Sequence, residues 1–141
     1  MATPDQIDTI TKHYLIALLW TMPGDDDNEN PGDNIDLADL PAETVNKAKA
    51  DATSFVALCG SLFDQAMECF DDGYGQHPDA GSAAAAFGHD FALTRNHHGV
   101  GFWDRESEGL PQFLGDALTR VCQKHFSEAD LYIGDDGKVN F

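Results

Sequence analysis

Apolar residues recur at steps of three and four over three stretches of the chain, and at steps of two over two others. Ile7, Ile10, Tyr14 and Leu18 form the first helical stripe. Thr3-Pro4-Asp5-Gln6 precedes it with the signature of a helix start: Thr3 as cap, Pro4 at the first helical position and Gln6 as the reciprocal capping partner. Pro23-Gly24 stops this helix. The second stripe (Val45, Ala48, Ala52, Phe55, Val56, Cys59, Leu62, Phe63, Ala66 and Phe70) runs across Gly60 without a phase break. It predicts one long helix from about 41 to 70, at a cost of about 1 kcal/mol for the glycine. Residues 78–87 are Ala-rich and helix-prone, with Gly88 as their C-terminal cap. The third stripe, Leu110, Phe113, Leu114, Ala117, Leu118, Val121, Cys122 and His125, follows Gly109 and Pro111. His125 falls on this apolar side and reads as a hydrogen-bonded core histidine.

The period changes to two in residues 90–103, which predict a β-hairpin turning at Asn96-His97. That register sets Phe91 opposite Phe102 and Leu93 opposite Val100 on one face, and requires a positive φ at His97. Residues 131–133 and 139–141 form a second hairpin around Asp136-Gly137, a strong turn signal. Neither hairpin is stable alone, so the economical arrangement joins them in one antiparallel sheet. The expected fold class is α+β: about four helices packed on a small antiparallel sheet made of two β-hairpins, in a single domain over residues 1–141. A chain of this length buries roughly 70% of its unfolded surface.

Charge changes the picture. The 141 residues hold 25 Asp and Glu against 8 Lys and Arg, a formal net charge of −17. Such a balance disfavours direct binding to DNA, RNA or an anionic membrane surface. Residues 25–39 are a loop carrying seven acids and no base: Asp25, Asp26, Asp27, Glu29, Asp33, Asp36 and Asp39. They are the expected partner-binding group. An EF-hand register fails there, because starting at Asp27 puts Pro31 at the fifth position and Ala38 where a bidentate Glu belongs. The plain reading of the acidity is a solvated surface; the sharper one is a row of carboxylates offered to a basic groove, as a DNA duplex offers phosphates.

Cys59, Cys69 and Cys122 are an odd, widely spaced set without a C-x-x-C pair, which fits a reducing compartment and buried small hydrophobes. The first residues lack a basic segment followed by an apolar run, so no signal peptide is expected, and the apolar stretch 14–20 is too short to span a bilayer. A cytoplasmic location follows as the expectation.

Candidate chemistry concentrates in the central segment: His89, Asp90, Arg95, His97, His98, Trp103, Asp104 and Arg105. The hairpin register sets His89 opposite Asp104, a pair suited to an oriented base or one metal ligand set. The alternative is that these groups tie hairpin ends to a helix. Arg95 and Arg105 read first as internal ion-pair partners, Arg95 with the acidic loop and Arg105 with Asp104 or a helix carboxylate. Trp20, near the acidic loop, and Trp103 are candidate partner anchors. No catalytic residue, cofactor or metal is assigned.

The segment 88–105, GHDFALTRNHHGVGFWDR, resembles a recurrent motif of an uncharacterised group of small acidic proteins encoded by bacteriophages and mobile elements. The acidic stretch 25–36 and the closing YIGDDG of residues 132–137 are similar as well, so the resemblance covers most of the chain. The group often has Gly where this chain has His97 and an aromatic where it has Ala92. The group carries no activity over to this chain; the phage origin that the resemblance implies, taken with the charge, gives the expectation of an intracellular protein that binds a basic host surface, as an inhibitor of a nucleic-acid-binding protein by DNA mimicry. Two rivals remain: a small metal-dependent or acid–base enzyme using His89, His98 and Asp104, and a structural or accessory phage protein kept soluble by its charge.

Overall fold

The computed structural model describes residues 2–24 and 30–141; Asp25, Asp26, Asp27 and Glu29 of the acidic loop lie outside them. The described residues run through five α-helices: α1 (Pro4–Trp20), α2 (Ala42–Cys59), α3 (Ser61–Glu68), α4 (Ala83–Arg95) and α5 (Gln112–His125). Two short strands close it, β1 (Tyr132–Ile133) and β2 (Val139–Asn140), joined by short 3-10 turns elsewhere. The start of α1 is as its sequence predicts. Thr3 accepts from the Gln6 amide and Gln6 returns a bond to the Thr3 amide, satisfying two otherwise orphan donors.

The fold class differs from the expected α+β arrangement. The described residues form a mostly helical protein with one two-stranded antiparallel sheet, in which Tyr132 pairs with Asn140 and Ile133 with Val139. The second hairpin is therefore present and the first is not. Residues 90–95, expected as a strand, are the C-terminal half of α4, which begins at the Ser82 cap and runs through Gly88. The reason is burial. Every residue of α4 except His89 is buried, because α1, α3 and α5 all pack against it. A helix covered on all sides has no polar face, so its sequence lacks the 3.6-residue contrast that marks a surface helix. Leu93 is buried while Val100 is exposed, so the expected pair does not form. Phe91 and Phe102 do meet, but through Phe55, whose ring lies 4.3 Å from Phe91 and 5.9 Å from Phe102.

Gly88 is a contact position rather than a cap. A Cβ built there would lie 2.3 Å from the Ile10 carbonyl oxygen, so α1 and α4 cross with their backbones almost touching. Gly60 breaks the predicted long helix in two: its φ of 54° and ψ of −125° end α2 and redirect the chain into α3, a conformation glycine reaches without a Cβ clash. The stripe keeps its phase because Phe55, Cys59, Phe63 and Ala66 all enter the same core cluster. Two further expectations fail on α5, where His125 and Phe113 are exposed.

The core is aromatic. Tyr14, Phe91 and Phe55 stack in sequence at 4.6 and 4.3 Å between centroids. Phe87 sets its ring edge-to-face on Phe63 at 5.1 Å. All three cysteines are free and buried; burial pushes the Cys59 and Cys122 thiols up to about 12, which leaves them inert small hydrophobes.

Candidate functional site

Three polar residues of α4 are buried: Asp90, Thr94 and Arg95. Each needs a partner, since an unpaired buried charge is costly. Thr94 Oγ1 accepts from the Phe102 amide at 3.2 Å and so holds the 102–104 turn against the helix. Arg95 Nη1 donates to Asp51 Oδ2 at 3.0 Å and to Tyr14 Oη at 2.8 Å, while its Nε and Nη2 donate to the Ser127 carbonyl. Lys47 caps the other oxygen of Asp51 at 2.6 Å.

A second cluster repeats this chemistry on the other side of α4. Arg105 Nε and Nη2 both donate to Asp90 Oδ1, at 2.9 and 2.7 Å, and its Nη1 donates to Glu108 Oε2 at 2.7 Å. Tyr74 Oη donates to Asp90 Oδ2 at 2.8 Å. Burial raises the Asp90 carboxyl above the usual carboxylate range, opposed by the Arg105 charge and by the bonds from Arg105 and Tyr74. The Tyr74 phenol is raised by burial and by Asp90. Both clusters are thus an Asp, an Arg and a Tyr locked together, and their donors are spent inside the fold.

Beside the second cluster opens a cleft of about 570 Å³. Its first wall is one face of α1: His13, Ile16, Ala17 and Trp20, spaced at steps of three and one so that all four point the same way. Ala85, Ala86 and His89 of α4 form the floor, and His77, Asp79 and Ala80 come from the loop before α4. Arg105 and Glu108 close the end. The His89 imidazole is lowered below its ordinary value by burial first, then by the Arg105 and His77 charges, against the pull of Asp79 and Glu108. His13 is lowered by burial, then by Lys12 and His89. Both are neutral at pH 7, and a neutral imidazole offers one acceptor nitrogen. Trp20 is 59% exposed on the rim, its ring 6.2 Å from His89 and 6.0 Å from His98.

The structure distributes the sequence-predicted residues over distinct places. Asp90, Arg95 and Arg105 are internal ion-pair partners: Arg95 meets Asp51 rather than the acidic loop, and Arg105 takes the helix-carboxylate alternative, Asp90 of α4 with Glu108, rather than Asp104. His89 and His98 flank Trp20. Asp104 and Trp103 line a shallow depression with Glu106, Ser107 and Gln112, so the expected His89–Asp104 pairing is replaced by His89 facing the cleft. Asp33, Asp36 and Asp39 of the acidic loop are exposed, Asp33 and Asp39 on two 3-10 turns and Asp36 just before the second. Among the described residues no group of three or more His, Cys, Asp or Glu side chains is arranged to hold a metal ion, and no helix is long and apolar enough to cross a membrane.

His13, His77, Asp79 and Glu108 were not singled out by sequence reasoning. His13 was legible in principle, from its helical spacing with Trp20. His77 and Asp79 reach the cleft only through the path of a loop, which leaves no periodic trace.

No family model matches the chain, and no curated protein and no solved structure is similar to it.

Exposed carboxylates form the other surface feature. Residues 60–119 contain ten acids, of which Asp90 is buried and Glu108 is bonded to Arg105, and their only Lys or Arg residues are Arg95 and Arg105, both committed to internal pairs. The 69–72 turn carries Asp71 and Asp72, and the 106–108 turn carries Glu106 and Glu108. These turns touch: a Cβ on Gly109 would lie 2.6 Å from the Asp72 carbonyl oxygen.

Proposed function

We propose that this chain acts by binding a basic macromolecular surface, its carboxylates standing where the phosphates of a nucleic acid would stand. The observation that carries the reading is the internal consumption of the two arginines. With Asp51, Asp90, Arg95 and Arg105 paired inside the fold, 23 acids face only 6 bases in the rest of the chain. The edge of touching turns sets Asp71 and Asp72 beside Glu106, and neither turn carries a Lys or Arg of its own. The field of such an edge steers association with a cationic groove and weakens with salt. The resemblance of segment 88–105 to small acidic phage proteins makes a host nucleic-acid-binding protein the partner class of choice.

The test is competition. A basic DNA-binding protein holding a fluorescent duplex is titrated with this chain at several salt concentrations. Displacement of the duplex that weakens steeply as salt rises, and that is reduced by the triple change Asp71→Asn, Asp72→Asn and Glu106→Gln, is the expected result. Displacement that is absent at low salt, or insensitive both to salt and to the triple change, would sink the reading.

A further inference from the structure

We propose that the cleft between α1 and α4 is a guanidinium-binding site, which receives an arginine side chain presented by the partner. The inference rests on the reading of the chain as a binder of basic surfaces, and names what anchors in it.

The chemistry of the walls selects the ligand. Asp79 and Glu108 supply carboxylates at the cleft. Arg105 is the one Lys or Arg among the described lining residues, and its guanidinium is already bonded to Asp90 and Glu108. Anions are therefore disfavoured and a cation is favoured. The aromatic rim narrows the class. Trp20 presents its indole at 59% exposure over the opening, inclined by 26° to the His89 ring. A cation held against an indole face gains from the ring quadrupole, and a flat guanidinium also stacks on it as a spherical ammonium cannot. The half-buried His13 and His89 imidazoles supply acceptors in the cleft, matching a ligand with five N–H donors and no acceptor. The volume of about 570 Å³ falls within the range of ordinary small-ligand pockets. An exposed Trp beside carboxylates is also the composition of an interface anchor point, where one inserted side chain dominates the binding energy.

The experiment uses Nα-acetyl-L-arginine amide as the probe, on the full chain carrying Trp103→Phe so that Trp20 is the sole indole emitter. Saturable change in Trp20 emission is expected, together with shifts of the His13 and His89 ring protons in NMR spectra. Nα-acetyl-L-lysine amide at equal ionic strength should bind about fivefold more weakly or worse. Asp79→Asn should weaken the arginine probe by about tenfold, and Trp20→Ala should abolish the His89 shift. Both positions are exposed, and helix content by circular dichroism checks that the fold is kept. No saturable change, equal affinity for the two probes, or affinity untouched by Asp79→Asn would each overturn the assignment. The two proposals separate cleanly. If duplex displacement occurs while the arginine probe fails to bind the Trp103→Phe chain, the cleft assignment falls and the acidic-surface reading stands. If the probe binds but displacement never occurs, the reverse holds.

Discussion

Arg105 grips one oxygen of Asp90 with two of its nitrogens, at 2.9 and 2.7 Å, across fifteen residues of sequence. Asp90 is 1% exposed in the middle of α4, and Arg105 follows the 102–104 turn. The pair therefore ties the central helix to the segment that leads into α5. With Tyr74 on the second oxygen, the carboxylate of Asp90 is bonded on both sides.

Removing one partner of such a pair leaves the other charge buried and uncompensated. Arg105→Ala should destabilise the protein by about 3–5 kcal/mol, and Arg95→Ala by less, because Lys47 still holds the other oxygen of Asp51. Urea unfolding followed by circular dichroism measures this. Adding Asp90→Asn to Arg105→Ala should restore part of the loss, because the stranded charge is then gone. A double variant as unstable as the sum of its parts would show the charges act independently.

Gly88 tests the helix crossing. Gly88→Ala places a methyl group 2.3 Å from the Ile10 carbonyl oxygen, where the nearest atoms are backbone and cannot swing aside. The usual gain in helix propensity from such a change should be overturned, with a net loss of about 1–3 kcal/mol. A stability equal to or above wild type in thermal unfolding would mean that α1 and α4 are not held this close.

His97 occupies the left-handed position after α4, with φ of 51°. The His98 amide bonds back to the Leu93 carbonyl at 2.9 Å and the His97 amide to Thr94 at 3.3 Å, the six-to-one and five-to-two pattern of a Schellman cap. A side chain at that φ costs about 1–2 kcal/mol. His97→Gly should therefore stabilise the protein by about 1 kcal/mol, slightly offset by loss of the His97 contact with Gln123. A rise in the urea midpoint is the readout.

Stability should fall on mild acidification. The His13 and His89 imidazoles are lowered below 6.5 in the folded protein, in each case first by burial, so the unfolded chain binds more protons in that range. The stability they hold is complete above pH 6.5 and is lost as pH falls through their folded values. Asp90, raised by burial, has the opposite sign, so the contribution of the imidazoles is isolated by difference. The variant His13→Gln, His89→Gln should lose the drop below pH 6.5 that the wild type shows. Parallel pH–stability curves for the two proteins would contradict this origin.

Several features needed only local chemistry. The Thr3–Gln6 box, the stop at Pro23-Gly24, the buried side of α2, the Asp136-Gly137 turn and the charge of −17 all follow from residues a few positions apart, whose interactions exist before the chain is folded. Even the positive φ at His97 was legible, although it closes a helix and not a hairpin. The candidate site was half visible: His89, Arg105 and Trp20 stood out as residue types, without any indication that they share a space.

Tertiary structure decided the rest. Residues 90–95 became helix because three other helices surround them, and a segment buried on every face carries no periodic signal of its own. Gly60 turned a continuous stripe into two helices, since periodicity records which side is buried and not the direction of the axis. The partners of Arg95 and Arg105 were chosen from carboxylates 44 and 15 residues away, by the crossing of α4 with its neighbours. That choice spends both arginines inside the fold and sets three imidazoles and an exposed indole around one cleft.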